Sequence, residues 1–126
     1  MPIDYRIDPE RRLILTHAWG VLTDADLLAH KERLLGDPAL DPSLPELSDI
    51  RGIDRLDVTQ AGVAAMVRHD AVHAARRPGH RMALVVPTGV TYGMARMYQS
   101  MGQGEEGVGV FRTLEEAEAW LAQGQS

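Results

Sequence analysis

The sequence predicts a single α/β domain built around a mixed, mostly parallel sheet. Short apolar runs alternate along the chain with segments of helical periodicity. The run at 82–86, Met-Ala-Leu-Val-Val, is apolar on both faces and rich in β-branched residues, which is typical of a central strand in a parallel sheet. With 126 residues, the whole chain 1–126 is predicted to form one domain.

The predicted element order is β-β-α-β-α-β-α-β-α, with four helices and an N-terminal hairpin. Residues 3–7 alternate apolar and polar side chains, and residues 12–19 are apolar on both faces. The sequence Asp8-Pro9 between them is typical of a tight turn, so these two strands are expected to pair as a hairpin. The later strands are predicted at 47–50, 82–86 and 108–111.

Helix starts are predicted from short polar residues that precede helical periodicity. The segments 23–26 and 113–116 have the form of capping boxes. Asp57-Val58-Thr59-Gln60 has the same form with Asp57 as the cap, which predicts that the second helix opens at Val58 or Thr59. The third helix is expected to follow the Pro87-Thr88-Gly89 turn.

Two charged residues fall on apolar helix faces. Lys31 lies among the leucines of the first helix, and we expect its stem to cover the core edge while its ammonium reaches water. Asp70 falls near the middle of the apolar face of the second helix. It is expected to pair with an arginine or to lie just above the core rim.

Composition narrows the classes of function. A net charge of −5 and a pI near 5.4 argue against a nucleic-acid binder. The sequence has no cysteine, no apolar run of about 20 residues that could span a bilayer, and no signal-like N-terminal core. We expect a cytoplasmic protein with no cofactor and no metal. His69 and His73 lie one turn apart, yet a solvated helix face is favoured over a metal site because no third ligand is evident.

A polar stretch between the third strand and the second helix is the strongest candidate for a binding site. Open α/β sheets usually bind partners or ligands where a strand ends and a helix begins. The side chains that we expect to contact a protein partner there are Arg51, Asp54, Asp57 and Thr59.

The chain resembles a STAS domain, the fold of bacterial anti-sigma-factor antagonists. The resemblance lies in the segments Leu-Ser-Asp-Ile-Arg-Gly at 47–52, Tyr-Gly-Met-Ala-Arg-Met-Tyr at 92–98 and Val-Phe-Arg-Thr-Leu-Glu-Glu-Ala at 110–117. It is closer still to small stand-alone bacterial STAS-like proteins, which are sometimes grouped with lipid-binding CRAL-TRIO folds. The resemblance implies a STAS-like α/β fold and a regulatory binding role.

The resemblance also implies a phosphorylation site at the start of the second helix. STAS antagonists carry a serine after an aspartate there. Asp57 matches the aspartate, Val58 stands where the serine is expected, and Thr59 is the nearest hydroxyl. A phosphate on Thr59 would meet the free amides and the dipole of a helix N-terminus. The alternative is that Asp57 and Thr59 only cap the helix.

A second hypothesis is that the domain carries a small apolar or lipid-like ligand. Methionines are adaptable apolar groups suited to an irregular pocket, and the third helix combines them with an arginine that could pair with an acidic headgroup. Core filling would explain the methionines equally well. The expected ligand-binding residues are Tyr92, Met94, Arg96 and Met97.

An enzyme is the third hypothesis. The sequence contains no G-x-S-x-G elbow, P-loop or dinucleotide-binding glycine motif. A site spread over loops would use Asp49, Asp57 and a histidine, and its sign would be an acid–histidine pair in a cleft. Binding is therefore ranked above catalysis, with a protein partner slightly ahead of a small ligand. A homodimer is also possible, because the second strand is apolar on both faces.

Overall fold

The computed structural model describes residues 2–124, and a five-stranded sheet organises them. The strands are β1 (Ile3–Asp8), β2 (Leu13–Ala18), β3 (Gly20–Thr23), β4 (Glu46–Asp49), β5 (Ile53–Asp57), β6 (Met82–Val85) and β7 (Val108–Phe111). The helices are α1 (Asp24–Leu35), α2 (Gln60–Val72), α3 (Val90–Met101), the single turn α4 (Gly104–Gly107) and α5 (Leu114–Gln123). A 3₁₀ turn, Ala74–Arg76, follows α2.

The main sheet has the strand order β1-β2-β4-β6-β7. The β1–β2 pair is the predicted antiparallel hairpin, and every other pair in this sheet is parallel. The mixed, mostly parallel α/β fold predicted from the sequence is therefore confirmed. None of the helices within residues 2–124 has the length and apolar character needed to cross a bilayer.

Helices cover the two faces of the sheet unequally. On one face, α1 contacts β1, α3 contacts β7, and α2 packs against both α1 and α3. The opposite face is covered by α5, whose Ala117 and Leu121 pack on Leu47 and Val85. The alternation of side chains along β4 therefore directs residues 46, 48 and 50 towards the three helices and residue 47 towards α5.

The structure adds two strands and a helical turn to the predicted elements. Strands β3 and β5 pair in parallel as a separate ribbon. β5 lies in the polar stretch predicted as a loop before the second helix, and β3 lies between the predicted second strand and the first helix. The apolar run of β2 continues almost unbroken into β3, so periodicity alone does not separate the two strands. The break is made by Gly20, which has a φ of 65°.

The predicted cap of the second helix is wrong by two residues. Asp57 is the last residue of β5, where it lies opposite Thr23, and Thr59 caps α2 instead. The Thr59 hydroxyl accepts a hydrogen bond from the Gly62 amide at 2.9 Å. Both Asp and Thr are good capping residues, and the pairing of β5 with β3 decides between them by holding Asp57 in extended backbone.

The starts of α1 and α2 are tied together by Asp24. Its carboxylate accepts hydrogen bonds from the Thr59 amide at 3.0 Å and from the Thr59 hydroxyl at 2.7 Å. Gly62 leaves room for this contact, because a Cβ at that position would overlap the Asp24 carboxylate. The Asp24–Thr59 contact therefore fixes where α2 begins relative to α1.

Replacing this glycine tests the tie. Gly62→Ala is expected to lower the free energy of unfolding by about 1–3 kcal/mol, because the new Cβ must displace the Asp24 carboxylate from Thr59. Gly93→Ala in α3 is the matched control, since a Cβ there meets no atom within 4 Å. The control should be neutral or stabilising by up to about 1 kcal/mol. Urea unfolding of both variants is the measurement, and equal effects would contradict the role given to Asp24.

Candidate ligand-binding cavity

A cavity of about 140 Å³ lies between α1, α2 and α3 and the sheet face beneath them. Engineered cavities of about 150 Å³ in protein cores hold a benzene molecule, so the space is large enough for a small ligand. Most of its wall is apolar. Six representative lining residues are Leu27, Ile50, Val63, Met66, Leu84 and Met94.

The cavity has a polar end at the N-terminal edges of β4 and β6. Glu46, the first residue of β4, is 5% exposed and accepts hydrogen bonds from the Thr16 hydroxyl at 2.6 Å and from His30 Nε2 at 3.0 Å. Burial acts to raise the pKa of Glu46, but the hydrogen bonds and the charge of His30 outweigh it. The pKa of Glu46 is therefore held well below its usual range, and the carboxylate is ionised.

A second polar cluster in the cavity wall joins the three helices. The ammonium of Lys31 donates to Asp70 Oδ1 at 3.0 Å and to the Tyr98 hydroxyl at 2.9 Å. The Tyr98 hydroxyl in turn donates to the other oxygen of Asp70. We call this group the Lys31–Asp70–Tyr98 cluster. Burial opposes the charged form of Lys31, but Tyr98 and Asp70 raise its pKa above the usual value.

The cluster corrects two expectations from the sequence. The ammonium of Lys31 does not reach out into water but is held inside by two partners. Asp70 pairs with this lysine and not with an arginine. Burial, followed by the charge of Asp70, also raises the pKa of Tyr98 to about 12, so its hydroxyl keeps its proton and acts as a donor.

Arg77 and His80 complete the polar end. One terminal nitrogen of Arg77, Nη2, donates to the Leu44 carbonyl at 2.9 Å. Arg77 Nε and His80 Nδ1 are buried, and neither has a hydrogen-bond partner among residues 2–124. Burial, reinforced by the charge of Arg77, lowers the pKa of His80 to about 4, so His80 is neutral at pH 7.

His69 and His73 also line the cavity and do not form the solvated face expected from the sequence. Their rings lie 4.3 Å apart, and the His73 Nδ1–H donates to the His69 carbonyl at 2.8 Å. Burial is the main cause that lowers the pKa of His69. Among residues 2–124, no group of three or more acidic or histidine side chains is arranged to hold a metal ion.

The four residues predicted to contact a protein partner lie outside the cavity. Arg51 forms a two-pronged ion pair with Asp49, at 3.0 Å from both Nε and Nη2. Asp54, Asp57 and Thr59 are exposed along β5 and the start of α2. The four side chains thus share one continuous surface segment, and their role in docking stays a prediction.

The four residues predicted to bind a ligand are divided by the structure. Met94 lines the cavity. Arg96 lies 3.7 Å from Glu105 and borders a shallow surface depression together with Met97. Tyr92 packs on the core, with the Arg112 guanidinium 5.2 Å from its ring centre. These residues do not converge on one space, and their binding role also stays a prediction.

Sequence analysis missed two residues of the polar end, His30 and Glu46. Arg77 and His80 stand out in the sequence as part of a basic cluster at 76–81, but the pattern favours a charged surface turn there and not a place in a cavity. The sequence does contain an indication of this polar end, because Glu46 and His80 are polar residues at the starts of two apolar strand segments. In a parallel sheet, the N-terminal ends of neighbouring strands meet at one edge, and Glu46 indeed lies opposite Met82.

The Glu46–His30 pair is the acid–histidine arrangement that was named as the sign of an enzyme. Its geometry does not continue to a nucleophile, however. The nearby Thr16 hydroxyl donates to Glu46 and makes no hydrogen bond to His30. The pair therefore orders the buried end of the cavity without presenting an activated hydroxyl.

Comparison with known proteins agrees with this architecture. The chain is similar to the crystal structure of an uncharacterized protein of the DUF3478 family with a SpoIIAA-like fold from Shewanella loihica PV-4. The TM-score is 0.59 and the identity 18%, and the match covers 94% of this chain and 93% of that one. No protein-family model and no curated protein sequence matches the chain. The SpoIIAA-like, and thus STAS-like, fold confirms the fold predicted from the sequence.

The buried histidine at the polar end predicts a pH-dependent stability. His80 has a pKa of about 4 in the folded protein and an ordinary value of 6.5 when unfolded. The unfolded chain therefore takes up its proton first. Through His80 alone, the free energy of unfolding should fall by at most about 3 kcal/mol as the pH drops from 6.5 to 4, and this contribution should not change further below pH 4.

Urea unfolding at several pH values measures this effect. His80→Asn should lose most of the fall between pH 6.5 and 4, and the lowered pKa values of His69 and Glu46 should supply the remainder. His17→Gln, at an exposed position on β2, should keep the wild-type profile. A His80→Asn variant with the same pH profile as the wild type would rule out the assignment to His80.

Proposed function

We propose that this domain is a non-catalytic binding module that encloses a small, mainly apolar molecule between its three sheet-covering helices. The observation that carries the proposal is the cavity of about 140 Å³, since protein interiors are otherwise close-packed. A ligand there would be surrounded by apolar walls and oriented by a few polar groups, which is the usual composition of small-molecule sites. The STAS-like fold supports a binding role and names no ligand.

Small side chains help to form the space. Ser48, in the middle of β4, is 4% exposed, and Ala95 of α3 is 7% exposed; both line the cavity. A larger residue at either position would occupy volume that is now open. The helix that closes the cavity, α2, contributes Val63 and Met66 to the wall.

A cavity-filling variant tests this proposal. Ser48→Leu is expected to abolish binding of benzene, because the leucine side chain fills the space the probe would occupy. The measurement is the methyl NMR spectrum of Met66, Met82 and Met94 during addition of benzene. Ser100→Leu, which places the same residue at an exposed site on α3, is the control. Addition of benzene should shift its methionine methyl signals as it does in the wild type.

Native mass spectrometry of the freshly purified protein complements the NMR titration. A mass that is lost on denaturation in the wild type and missing from Ser48→Leu would identify a natural ligand by its size. Methionine methyl shifts that respond equally to benzene in wild type and Ser48→Leu would show that the cavity is not the binding site.

Docking of a protein partner is a second candidate function, and one surface observation favours it. Trp19, just before β3, is 42% exposed, and Val21, on β3, is 37% exposed. Val21 pairs with Arg55 of β5. An exposed apolar pair therefore borders the charged segment of Asp54 and Asp57. Exposed apolar surface with a polar rim is typical of interaction sites.

Phosphorylation of Thr59 would change this surface. The Thr59 hydroxyl is bonded to the Asp24 carboxylate, so a phosphate in its place would be repelled by that carboxylate and would break the tie between α1 and α2. We propose that such a modification would loosen the start of α2. This differs from the simple case of a phosphate that stabilises a helix N-terminus.

The docking surface predicts a selective loss of partner capture. Asp57→Ala and Trp19→Ser are expected to reduce recovery of a specific partner by about tenfold, as loss of interface anchors does. Arg11→Ala, near the β1–β2 turn, is the control and should capture the partner normally. Quantitative mass spectrometry after affinity capture is the measurement. Sedimentation of the same proteins would show whether the partner is a second copy, and equal capture by all variants would contradict the proposed surface.

A further inference from the structure

We infer that the ligand of the cavity is a small monocarboxylic acid whose carboxylate is bound by Arg77 at the polar end. The inference rests on the proposed ligand-binding function and specifies the chemical class of the ligand. It follows from the pairing of charges around the cavity, from the unpartnered nitrogens at its polar end, and from the mainly apolar character of the remaining wall.

Each of the other charged side chains of the cavity wall has a direct side-chain partner. Lys31 forms an ion pair with Asp70 at 3.0 Å, and the Glu46 carboxylate is hydrogen-bonded to His30 at 3.0 Å. Arg77 lines the same cavity, yet no carboxylate within residues 2–124 lies within ion-pair distance of its guanidinium. The guanidinium is partly buried, and the charges of Glu46 and Asp70 act on it only from beyond ion-pair distance. Withdrawing a cation from water without a direct partner is costly.

Several side-chain nitrogens of the cavity wall, one of them on this arginine, are unpartnered among residues 2–124. Within the described part of the chain, Arg77 Nε, His80 Nδ1 and His30 Nδ1 are withdrawn from solvent and have no hydrogen-bond partner, and His30 is only 6% exposed. The three side chains belong to the wall of one cavity. Arg77 Nε always carries a hydrogen, so it needs an acceptor, and a carboxylate oxygen is the strongest acceptor that an organic ligand offers.

The Arg77 guanidinium is already held in place. Its Nη2 atom is anchored on the Leu44 carbonyl, which precedes β4, while Nε has no acceptor in the part of the chain that the structure describes. An incoming carboxylate would therefore add a bond without displacing an existing one. Such pre-organisation reduces the entropy lost on binding.

The other groups at the polar end favour a singly charged ligand. Glu46 and Asp70 are both carboxylates on the cavity wall, and their negative charge would repel a phosphate dianion more strongly than a carboxylate. The apolar wall suits a hydrocarbon body of about six carbons, given the benzene-sized space. A short aliphatic or monocyclic acid meets both conditions.

A matched pair of probes tests the inference on the unmodified protein. Hexanoate and hexanamide have the same shape and differ in the charge of the head group. The wild type should bind hexanoate about tenfold or more tightly than hexanamide, because the hydrogen bond from Arg77 to an anion is stronger than one to a neutral amide. Dissociation constants are measured from the methionine methyl shifts.

Two adjacent arginines provide matched variants. In Arg77→Gln, the preference for hexanoate should fall to about twofold or less, and Arg77→Lys should restore part of it. Arg76→Gln is the control: Arg76 also donates to a backbone carbonyl, that of Leu35, but it is exposed and does not line the cavity. This control should keep the wild-type preference.

The outcomes separate the inference from the proposed function. Equal affinity for hexanoate and hexanamide, or a preference that survives Arg77→Gln, would overturn the inference while binding of benzene still supported the cavity. If benzene binds and hexanoate does not, the inference is likewise overturned and the proposed binding function is still supported. Failure of benzene, hexanoate and hexanamide alike would overturn both the inference and the proposed function.

Discussion

The hydrogen-bonded ammonium of Lys31 is the constraint on which the helical layer depends. A cation inside an apolar layer requires partners, and the two that it has belong to different helices, Asp70 of α2 and Tyr98 of α3. Because Lys31 itself belongs to α1, one small network sets the relative positions of all three helices. The cavity is bounded by the same helices, so its shape depends on this network as well as on apolar packing.

Local patterns in the sequence predict the order of elements along the chain better than they predict the polar contacts. The hairpin, the apolar strand at 82–86 and most of the helix starts depend on spacing within a few residues, which the sequence displays directly. Lys31 and Asp70 are visibly misplaced on apolar faces, but they are 39 residues apart and nothing in either segment specifies that they meet. The choice between Asp57 and Thr59 as a cap was likewise settled by the pairing of β5 with β3, a contact between distant segments.

The cavity was also not predicted from the sequence, and the reason is a different one. A cavity is the volume left after all side chains have packed, so it depends on the sum of many residues and not on any motif. Small residues such as Ser48 and Ala95 look unremarkable in the sequence. Glu46 and His80 were more informative, since polar residues at the starts of two neighbouring parallel strands must lie at one edge of the sheet.

The positions of the two tryptophans have a practical consequence for spectroscopy. Trp19 is exposed and stacked on His17, whereas Trp120 lies on the α5 side of the sheet, with the Arg81 guanidinium 3.8 Å from its ring centre. Neither indole lines the cavity, while the phenol of Tyr98 does. Tryptophan emission therefore reports on regions outside the cavity, and a ligand that enters the cavity is expected to change it little. Tyrosine absorption is the optical signal that lies next to the cavity.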